Sequence, residues 1–415
     1  MKLLKKIILI LFLSLSFPNN QNNSPIVILV SFDGFRYDYA DMVDTPNFDF
    51  LGNNGIKAKS LQPIFPSFTF PNHYSIATGC YADKHGILGN VFYDYNKRSE
   101  YSYKNSKDVQ NGKWYDCEPV WVTAEKNNIK SGTYFWVGSE AKINGYRPSI
   151  YKYYKSGVDP FKKVDEVIKW LKYPDEEKPH LITLYFNEPD HSGHVHGPVD
   201  TRTLMQVKLA DSILGYLIQS LEELESYNRI NLIVVSDHGM VEVDKSRVID
   251  LSDYLGKYKM RGRGPFVELY NHPIGNKRLT ALPDYASLMK KFGDYIKIYS
   301  KYDMDEEYVG VFPENFHYPF QEQIGFFLLA EPGWMIYDGV DSYKDGLPVK
   351  GMHGYDPQYM DMHGIFYAHG PMFNQNMKID TFELIHIYPL LCEMLNIEPY
   401  ENIDGKLSVL KHILN

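Results

Sequence analysis

Pro25-Ile-Val-Ile-Leu-Val-Ser-Phe32, running straight into Asp33-Gly34, is the stretch on which the fold turns. It is apolar and β-branched without the polar alternation of a half-buried strand, so both of its faces must be covered, as in a parallel sheet between helical layers. Two further runs have the same build and the same kind of ending. Leu181-Ile-Thr-Leu-Tyr-Phe186 leads to Asp190, and Asn231-Leu-Ile-Val-Val-Ser236 leads to Asp237-His238-Gly239. Helical patterning lies between them, at residues 163–171 and 203–224; in the second, Leu204, Val207, Ala210, Leu214, Leu217, Ile218 and Leu221 share one face. A fourth apolar segment, Ile365-Phe-Tyr-Ala368, predicts another strand of the same sheet. The pattern is α/β, a mostly parallel sheet flanked by helices, and in such sheets ligands gather at the carboxyl ends of the strands.

The rest of the 415 residues sets the context. With 44% hydrophobic and 23% charged residues the composition is globular, which excludes a disordered, collagen-like or multi-pass membrane chain. A formal charge of -9 argues against a basic nucleic-acid-binding surface, so any phosphate chemistry must bring its own positive charge. Lys2, Lys5 and Lys6 precede an apolar stretch at residues 7–17 and a polar tract at residues 19–24, the order of a secretory signal. The apolar stretch is shorter than the about 20 residues a bilayer span requires. The expectation is a signal peptide at residues 1–23, a secreted or periplasmic protein and no transmembrane anchor. Cys80, Cys117 and Cys392 allow at most one intramolecular disulfide and leave one thiol over. From about residue 241 to 340 the texture turns to shorter, more polar elements rich in Gly, Pro and Tyr, including Phe266-Val-Glu-Leu-Tyr270, a helix-like segment at 285–292 and Phe326-Phe-Leu-Leu-Ala330. This reads as a small α+β cap inserted into a single catalytic domain of residues 24–415.

The strand ends carry the chemistry. Asp190-x-x-x-His194 and Asp237-His238 combine carboxylate oxygen with imidazole nitrogen, a donor mix suited to Zn²⁺, and Asp33 adds a carboxylate at the same edge. His353, in Gly351-Met-His-Gly-Tyr-Asp356, lies in a glycine-flanked turn. Six such ligands suffice for two metals with three protein donors each. Carboxylates packed this closely would repel strongly without cations, and Asp356 belongs to the same acidic neighbourhood. His191, His196, His363 and His369 compete on spacing alone, whereas His73, His85, His180, His272, His317, His386 and His412 read as surface or packing residues. In Phe68-Thr69-Phe70-Pro71-Asn72-His73-Tyr74-Ser75, the proline and the helix-compatible residues after it put Thr69 at a helix N-terminus, in an N-cap role. Free N–H groups there suit a phosphate.

Ser31-Phe-Asp-Gly-Phe-Arg36, Thr69-Phe-Pro-Asn-His-Tyr-Ser-Ile-Ala-Thr-Gly79, His85-Gly-Ile-Leu-Gly-Asn90, Glu188-Pro-Asp-His-Ser-Gly-His194, Ser236-Asp-His-Gly-Met240 and His353-Gly-Tyr-Asp356 together resemble the ordered motif set of the nucleotide pyrophosphatase/phosphodiesterase family, within the alkaline phosphatase superfamily. The resemblance implies an alkaline-phosphatase-like fold and two Zn²⁺ ions, one held by Asp190, His194 and His353, the other by Asp33, Asp237 and His238 with Thr69 touching it. It implies Thr69 as the nucleophile, a phosphothreonine intermediate and release of nucleoside 5'-monophosphates from small-molecule diester or pyrophosphate substrates, with no stable nucleic-acid complex. Asn90 and the Thr69 backbone N–H would bind a non-bridging phosphate oxygen, and Phe70 and Tyr154 would sandwich a nucleobase. Other members of the same superfamily cleave choline phosphodiesters or phosphomonoesters, and these stay open as alternatives. No Lys or Arg occurs between Lys59 and Lys84, which favours a diester over a monoester dianion. Several family members have Lys immediately before the threonine; Phe68 stands there instead, which argues against a preference for highly charged nucleoside triphosphates.

Overall fold

The computed structural model describes residues 24–271, 285–301, 309–319, 321, 324–339 and 349–415. The expected signal segment, His272 and parts of the expected cap lie outside them. Among the described residues no helix is long and apolar enough to cross a membrane.

An eight-stranded sheet organises the chain, in the order Met377–Ile379, Ile56–Ala58, Phe366–His369, Ile230–Val235, Ile26–Phe32, Leu181–Phe186, Ser131–Tyr134, Ile150–Tyr151. Its centre is parallel, as the unbroken apolar runs require. Ile26–Phe32 pairs in parallel with Leu181–Phe186 on one side and with Ile230–Val235 on the other. The fourth apolar segment joins this sheet but runs antiparallel to Ile230–Val235 and to Ile56–Ala58. Successive residues of the first strand face different cores. Ile26, Ile28 and Val30 pack with Val207, Leu214 and Leu217 of the long helix Thr201–Glu222, whereas Val27 and Leu29 pack with Ile76 and Leu391 on the opposite face. Burial on both faces is why this strand shows no polar alternation. The helix expected at residues 163–171 is the C-terminal part of Pro160–Leu171.

Register fixes the functional edge. Ser31 lies opposite both Tyr185 and Val235, so the segments carrying Asp33, Asp190 and Asp237 leave the sheet side by side. The Asp33 N–H donates to the Phe186 carbonyl at 2.9 Å, and the Asp190 N–H to the Asp33 carbonyl at 3.0 Å.

A separate five-stranded sheet, ordered Tyr258–Arg261, Phe266–Asn271, Ile324–Ala330, Ile296–Ser300, Val309–Val311, falls in the stretch expected to form the cap, with the helix Tyr285–Phe292 where the sequence predicts it. Phe65 links this region to the rest, with Phe316 stacked on it at 4.4 Å and Phe266 at 5.5 Å. Cys80 and Cys117 form a disulfide, and Cys392 is the buried free thiol.

Candidate active site

Three aspartates converge because one residue between them has no side chain. Gly34 has φ +65°, and a Cβ on it would stand 2.7 Å from Asp190 Cβ; its N–H donates to Asp237 Oδ1 at 3.1 Å. Asp190 opens the short helix Asp190–His196, which puts His194 one turn on, on the same face. His353 follows the strand Gly351–Met352, which pairs with Val241–Glu242. Gly354, at φ +106°, leaves space for the Phe68 ring, which a Cβ would meet at 2.2 Å.

These residues form two sets of donors that could each hold a metal ion, with the donor atoms of a set all within 4.8 Å of one another. In the first, Asp190 Oδ1 is 3.5 Å from His194 Nε2 and 3.6 Å from His353 Nε2, and the two imidazole nitrogens are 3.2 Å apart. In the second, His238 Nε2 is 3.0 Å from Asp237 Oδ2 and 3.5 Å from Asp33 Oδ1. The His238 and His353 rings stack at 3.5 Å, so the two sets adjoin.

The protonation pattern is legible from the opposite ring nitrogens. Nδ1 of His194, His353 and His238 each lies 2.8 Å from a backbone carbonyl, those of Gly351, Ser67 and Gly239. A carbonyl only accepts, so each Nδ1 carries a proton, and in the neutral ring each Nε2 presents a lone pair to the site. Asp33 Oδ1, Asp190 Oδ1 and Asp237 Oδ2 are buried without a hydrogen-bond partner. Lone pairs facing orphaned carboxylate oxygens are a poor arrangement for a protein alone and a fitting one around cations.

The titration behaviour says the same. Burial, together with the Asp237 and Asp190 charges, pushes the Asp33 carboxyl well above the carboxylate range. Burial would raise Asp237 too, but the imidazoles of His238 and His73 outweigh it and hold it low. Burial, aided by His238 and His194, drives His353 well below the usual imidazole value. With protein charges alone, these groups cannot all take their liganding forms at once.

Thr69 Oγ1 lies 3.2 Å from His238 Nε2, at the edge of the second set. The helix is Thr69–Thr78 with Phe68 as its N-cap, so Thr69 is the first helical residue and not the cap the sequence suggested. Pro71 is compatible with either placement: its missing N–H costs nothing within the first turn, where N–H groups lack helical partners anyway. Asn90 Oδ1 accepts from the Phe70 N–H at 3.0 Å, which pins the amide and leaves its NH₂ to donate. Phe70 is backed by Tyr101 and Tyr103, with ring centroids at 6.2 and 5.7 Å, and Tyr154 by Phe135 and Tyr185 at 5.1 and 6.4 Å. Burial raises the Tyr154 hydroxyl, with Asp33 and Tyr103 adding to the effect.

The competing histidines sort themselves. His363 is held by Ser60 Oγ and the Pro357 carbonyl, each at 2.9 Å, and His369 packs on Phe50. Neither belongs to a donor set, nor do His191 and His196. Asp356 also lies outside both sets: its carboxylate accepts from the Gln358 N–H at 2.9 Å, so the expectation that it belongs with the metals is corrected to a turn residue. Phe68 sits edge-on to His353 at 5.7 Å and packs on Phe266 at 5.8 Å, supporting the ligand-bearing loop. Two residues beside the donors escaped the sequence reading. Tyr185 Oη donates to Asp33 Oδ2 at 2.5 Å, and His73, read as a packing residue, has Nδ1 3.2 Å from Asp237 Oδ2. The available signals were a tyrosine interrupting an otherwise aliphatic strand end, and a histidine one helical turn after Thr69.

Comparison with known proteins settles the grouping. Residues 27–356 match the family described as Type I phosphodiesterase / nucleotide pyrophosphatase. The chain belongs to this family. Among its members, ectonucleotide pyrophosphatase/phosphodiesterase family member 1 of Homo sapiens is 34% identical over 407 residues, covering 94% of the chain and 42% of that protein. Venom phosphodiesterase 2 of Crotalus adamanteus is 35% identical over 404 residues, covering 96% of the chain and 48% of that protein. The chain thus spans less than half the length of the curated relatives it matches. Among solved structures, murine ectonucleotide pyrophosphatase/phosphodiesterase 5 superposes with a TM-score of 0.82 at 30% identity, covering 94% of this chain and 100% of that one. An inactive threonine-to-alanine variant of the same murine protein, in complex with AMP, matches equally well. The family fold is the mostly parallel α/β sheet expected from the strand pattern, alkaline-phosphatase-like as the resemblance implied.

Proposed function

We propose that the chain is a two-zinc phosphodiesterase/nucleotide pyrophosphatase that releases nucleoside 5'-monophosphates through a phosphothreonine on Thr69. The observation that carries this reading is the position of Thr69 Oγ1, 3.2 Å from His238 Nε2, beside two adjoining donor sets whose inward carboxylate oxygens have no hydrogen-bond partner among the described residues. Asp190, His194 and His353 would hold one ion, and Asp33, Asp237 and His238, with Thr69 Oγ1, the other. Such ions supply Lewis-acid stabilisation of phosphoryl charge and lower the pKa of a hydroxyl or water.

The chain's own groups do the rest. Thr69 Oγ forms a bond to phosphorus as the bond to the leaving oxygen breaks in line with it. The Asn90 NH₂ and the Thr69 N–H steady a non-bridging oxygen, and Phe70 and Tyr154 clamp the base. Water then displaces Thr69 from phosphorus, the 5'-monophosphate departs and Thr69 recovers its proton. The AMP complex of the murine relative supports this product class. On the same reading, residues 24–415 are one catalytic domain with a cap inserted at about 241–340, because donors on both sides of the cap, from Asp33 to His353, serve one site. Residues 1–23 are its secretory signal, in keeping with relatives named as ectoenzymes and venom enzymes.

The test is a side-by-side assay of the protein lacking residues 1–23 on a p-nitrophenyl ester of a nucleoside 5'-monophosphate, on p-nitrophenyl phosphate and on p-nitrophenylphosphorylcholine. Fastest turnover of the first is expected. A dominant rate on either of the others overturns the nucleotide reading in favour of a monoesterase or a choline phosphodiesterase.

A further inference from the structure

We infer that His73 and Tyr185 are positioning residues that set the carboxylate geometry of the Asp33/Asp237/His238 set, and so make its ion the more tightly held of the two. The inference rests on the two-metal reading above and goes beyond it, because neither residue is a donor in either set.

His73 is fully buried on the Thr69 helix. Its Nδ1 lies 3.0 Å from the Thr69 carbonyl and 3.2 Å from Asp237 Oδ2, and its Nε2 lies 2.8 Å from Ser31 Oγ. Both oxygens around Nδ1 belong to groups that only accept, so Nδ1 carries the proton and Nε2 accepts from the Ser31 hydroxyl. A single N–H therefore faces the backbone of the nucleophile residue and a carboxylate of the donor set together. Asp33 has its own support in the Tyr185 hydroxyl, at 2.5 Å from Oδ2. The two supports are one block: the His73 ring meets Tyr185 edge-on at 5.2 Å and Trp136 at 5.1 Å, and Trp136 Nε1 donates to the His73 carbonyl at 2.9 Å.

The other set is alike in its histidines, since His238 too is held by a backbone carbonyl, that of Gly239, and differs at its carboxylate. Its histidines are oriented by the backbone carbonyls of Gly351 and Ser67, and the groups facing Asp190 Oδ1 are the Nε2 lone pairs of His194 and His353. Among the described residues no side-chain N–H or O–H from outside the set is directed at Asp190, whereas Tyr185 hydrogen-bonds Asp33 Oδ2 and His73 Nδ1 stands in ion-pair range of Asp237 Oδ2. Outer partners of ligands are typically worth 10–100-fold in metal affinity, so the two sets should differ in affinity and respond separately to substitution.

The experiment titrates Zn²⁺ into metal-free protein against a chromophoric chelator, for wild type, Tyr185→Phe, His73→Leu and His73→Asn, with thermal unfolding of each metal-free protein as the control for folding. Wild type should bind two ions with distinct affinities. Tyr185→Phe, which removes one oxygen without changing shape, and His73→Leu should each weaken the tighter ion by roughly 10–100-fold and leave the weaker one alone. His73→Asn, whose amide N–H stands near the position of Nδ1, should recover most of the loss. Equal weakening of both ions, no weakening, or no recovery with His73→Asn overturns the inference while leaving the two-metal reading intact. Wild type binding no zinc overturns both.

Discussion

Thr69 Oγ1 lies 3.2 Å from Nε2 of His238, whose Nδ1 carries a proton toward the Gly239 carbonyl. The hydroxyl therefore stands beside the ring nitrogen that is free to ligate a metal. Thr69→Ala removes the nucleophile without touching either donor set. It should lower kcat by on the order of 10⁴–10⁶ while the protein still binds two zinc ions and a nucleoside monophosphate. Turnover within tenfold of wild type would mean that water attacks directly and no phosphothreonine forms; burst kinetics and acid-quench labelling of the wild type check the same point.

Gly34→Ala should damage both metal sites through one methyl group. Its φ of +65° is strained for alanine, and the added Cβ would overlap Asp190 Cβ while Gly34 N–H is also the donor to Asp237 Oδ1. Asp190 belongs to one donor set and Asp237 to the other. The expected result is loss of zinc from both sites in an otherwise folded protein, measured by metal analysis after dialysis. Full zinc content would show that the backbone relaxes around the new methyl.

Asn90 makes two separable contributions, because its oxygen is already committed to the Phe70 N–H. Asn90→Ala loses both the oxygen and the NH₂. Asn90→Asp keeps the acceptor that pins the loop but replaces the donor with a negative charge facing phosphate. Removal of a preorganised donor of this type costs about 10²–10³ in kcat. Asn90→Asp should therefore be at least as slow as Asn90→Ala on a nucleoside p-nitrophenyl ester, despite the better preserved loop. If Asn90→Asp is the faster of the two, the residue acts by holding Phe70 and not by binding phosphate.

The sheet and its functional edge were legible because burial on both faces leaves a single polar residue in each of Ile26–Phe32 and Ile230–Val235, Ser31 and Asn231, a signal that needs no tertiary knowledge. The donors were legible because a carboxylate or imidazole at a strand end has few other reasons to recur. What stayed hidden depends on depth and direction. His73, read as a packing residue, lies beside the Asp237 carboxylate, and only the folded chain shows it. Asp356, two residues before the backbone N–H it accepts, shows the opposite error: an acidic residue near the motif whose carboxylate is used up by its own turn. The helix start at Thr69 was missed by one residue because a proline in the first turn is compatible with either placement.

The base clamp is testable by comparing two diesters. Phe70 and Tyr154 each lean on their own aromatic backing, Tyr103 on one side and Phe135 on the other. Replacing either by alanine should cost about 1–3 kcal/mol in kcat/KM on a nucleoside p-nitrophenyl ester. The same variants should be nearly unchanged on bis(p-nitrophenyl) phosphate, which has no base. Equal losses on both substrates would place these rings in general support of the site.

A pH effect on stability should arise outside both donor sets, at Glu268. This carboxyl is buried in the strand Phe266–Asn271, where burial pushes its pKa up to about 7 against the opposing pull of the Tyr318 hydroxyl and Arg261. Tyr318 Oη donates to it at 3.1 Å, but the Arg261 guanidinium stands 4.0 Å away, lying over the rings of Tyr93, Tyr95 and Tyr270 at 4.4, 4.9 and 4.6 Å. An unfolded glutamate titrates near 4.3, so between that pH and about 7 the folded state binds the extra proton. The stabilisation from this group is fully present below the unfolded pKa and is lost as pH rises through the folded one. Glu268→Gln stays neutral throughout. Its stability relative to wild type, read from urea midpoints at matched zinc, should therefore rise between pH 4.5 and 7 and level off above, by an amount on the order of 4 kcal/mol at most. Parallel pH profiles for the two proteins would mean that Arg261 compensates the Glu268 charge fully in the folded state.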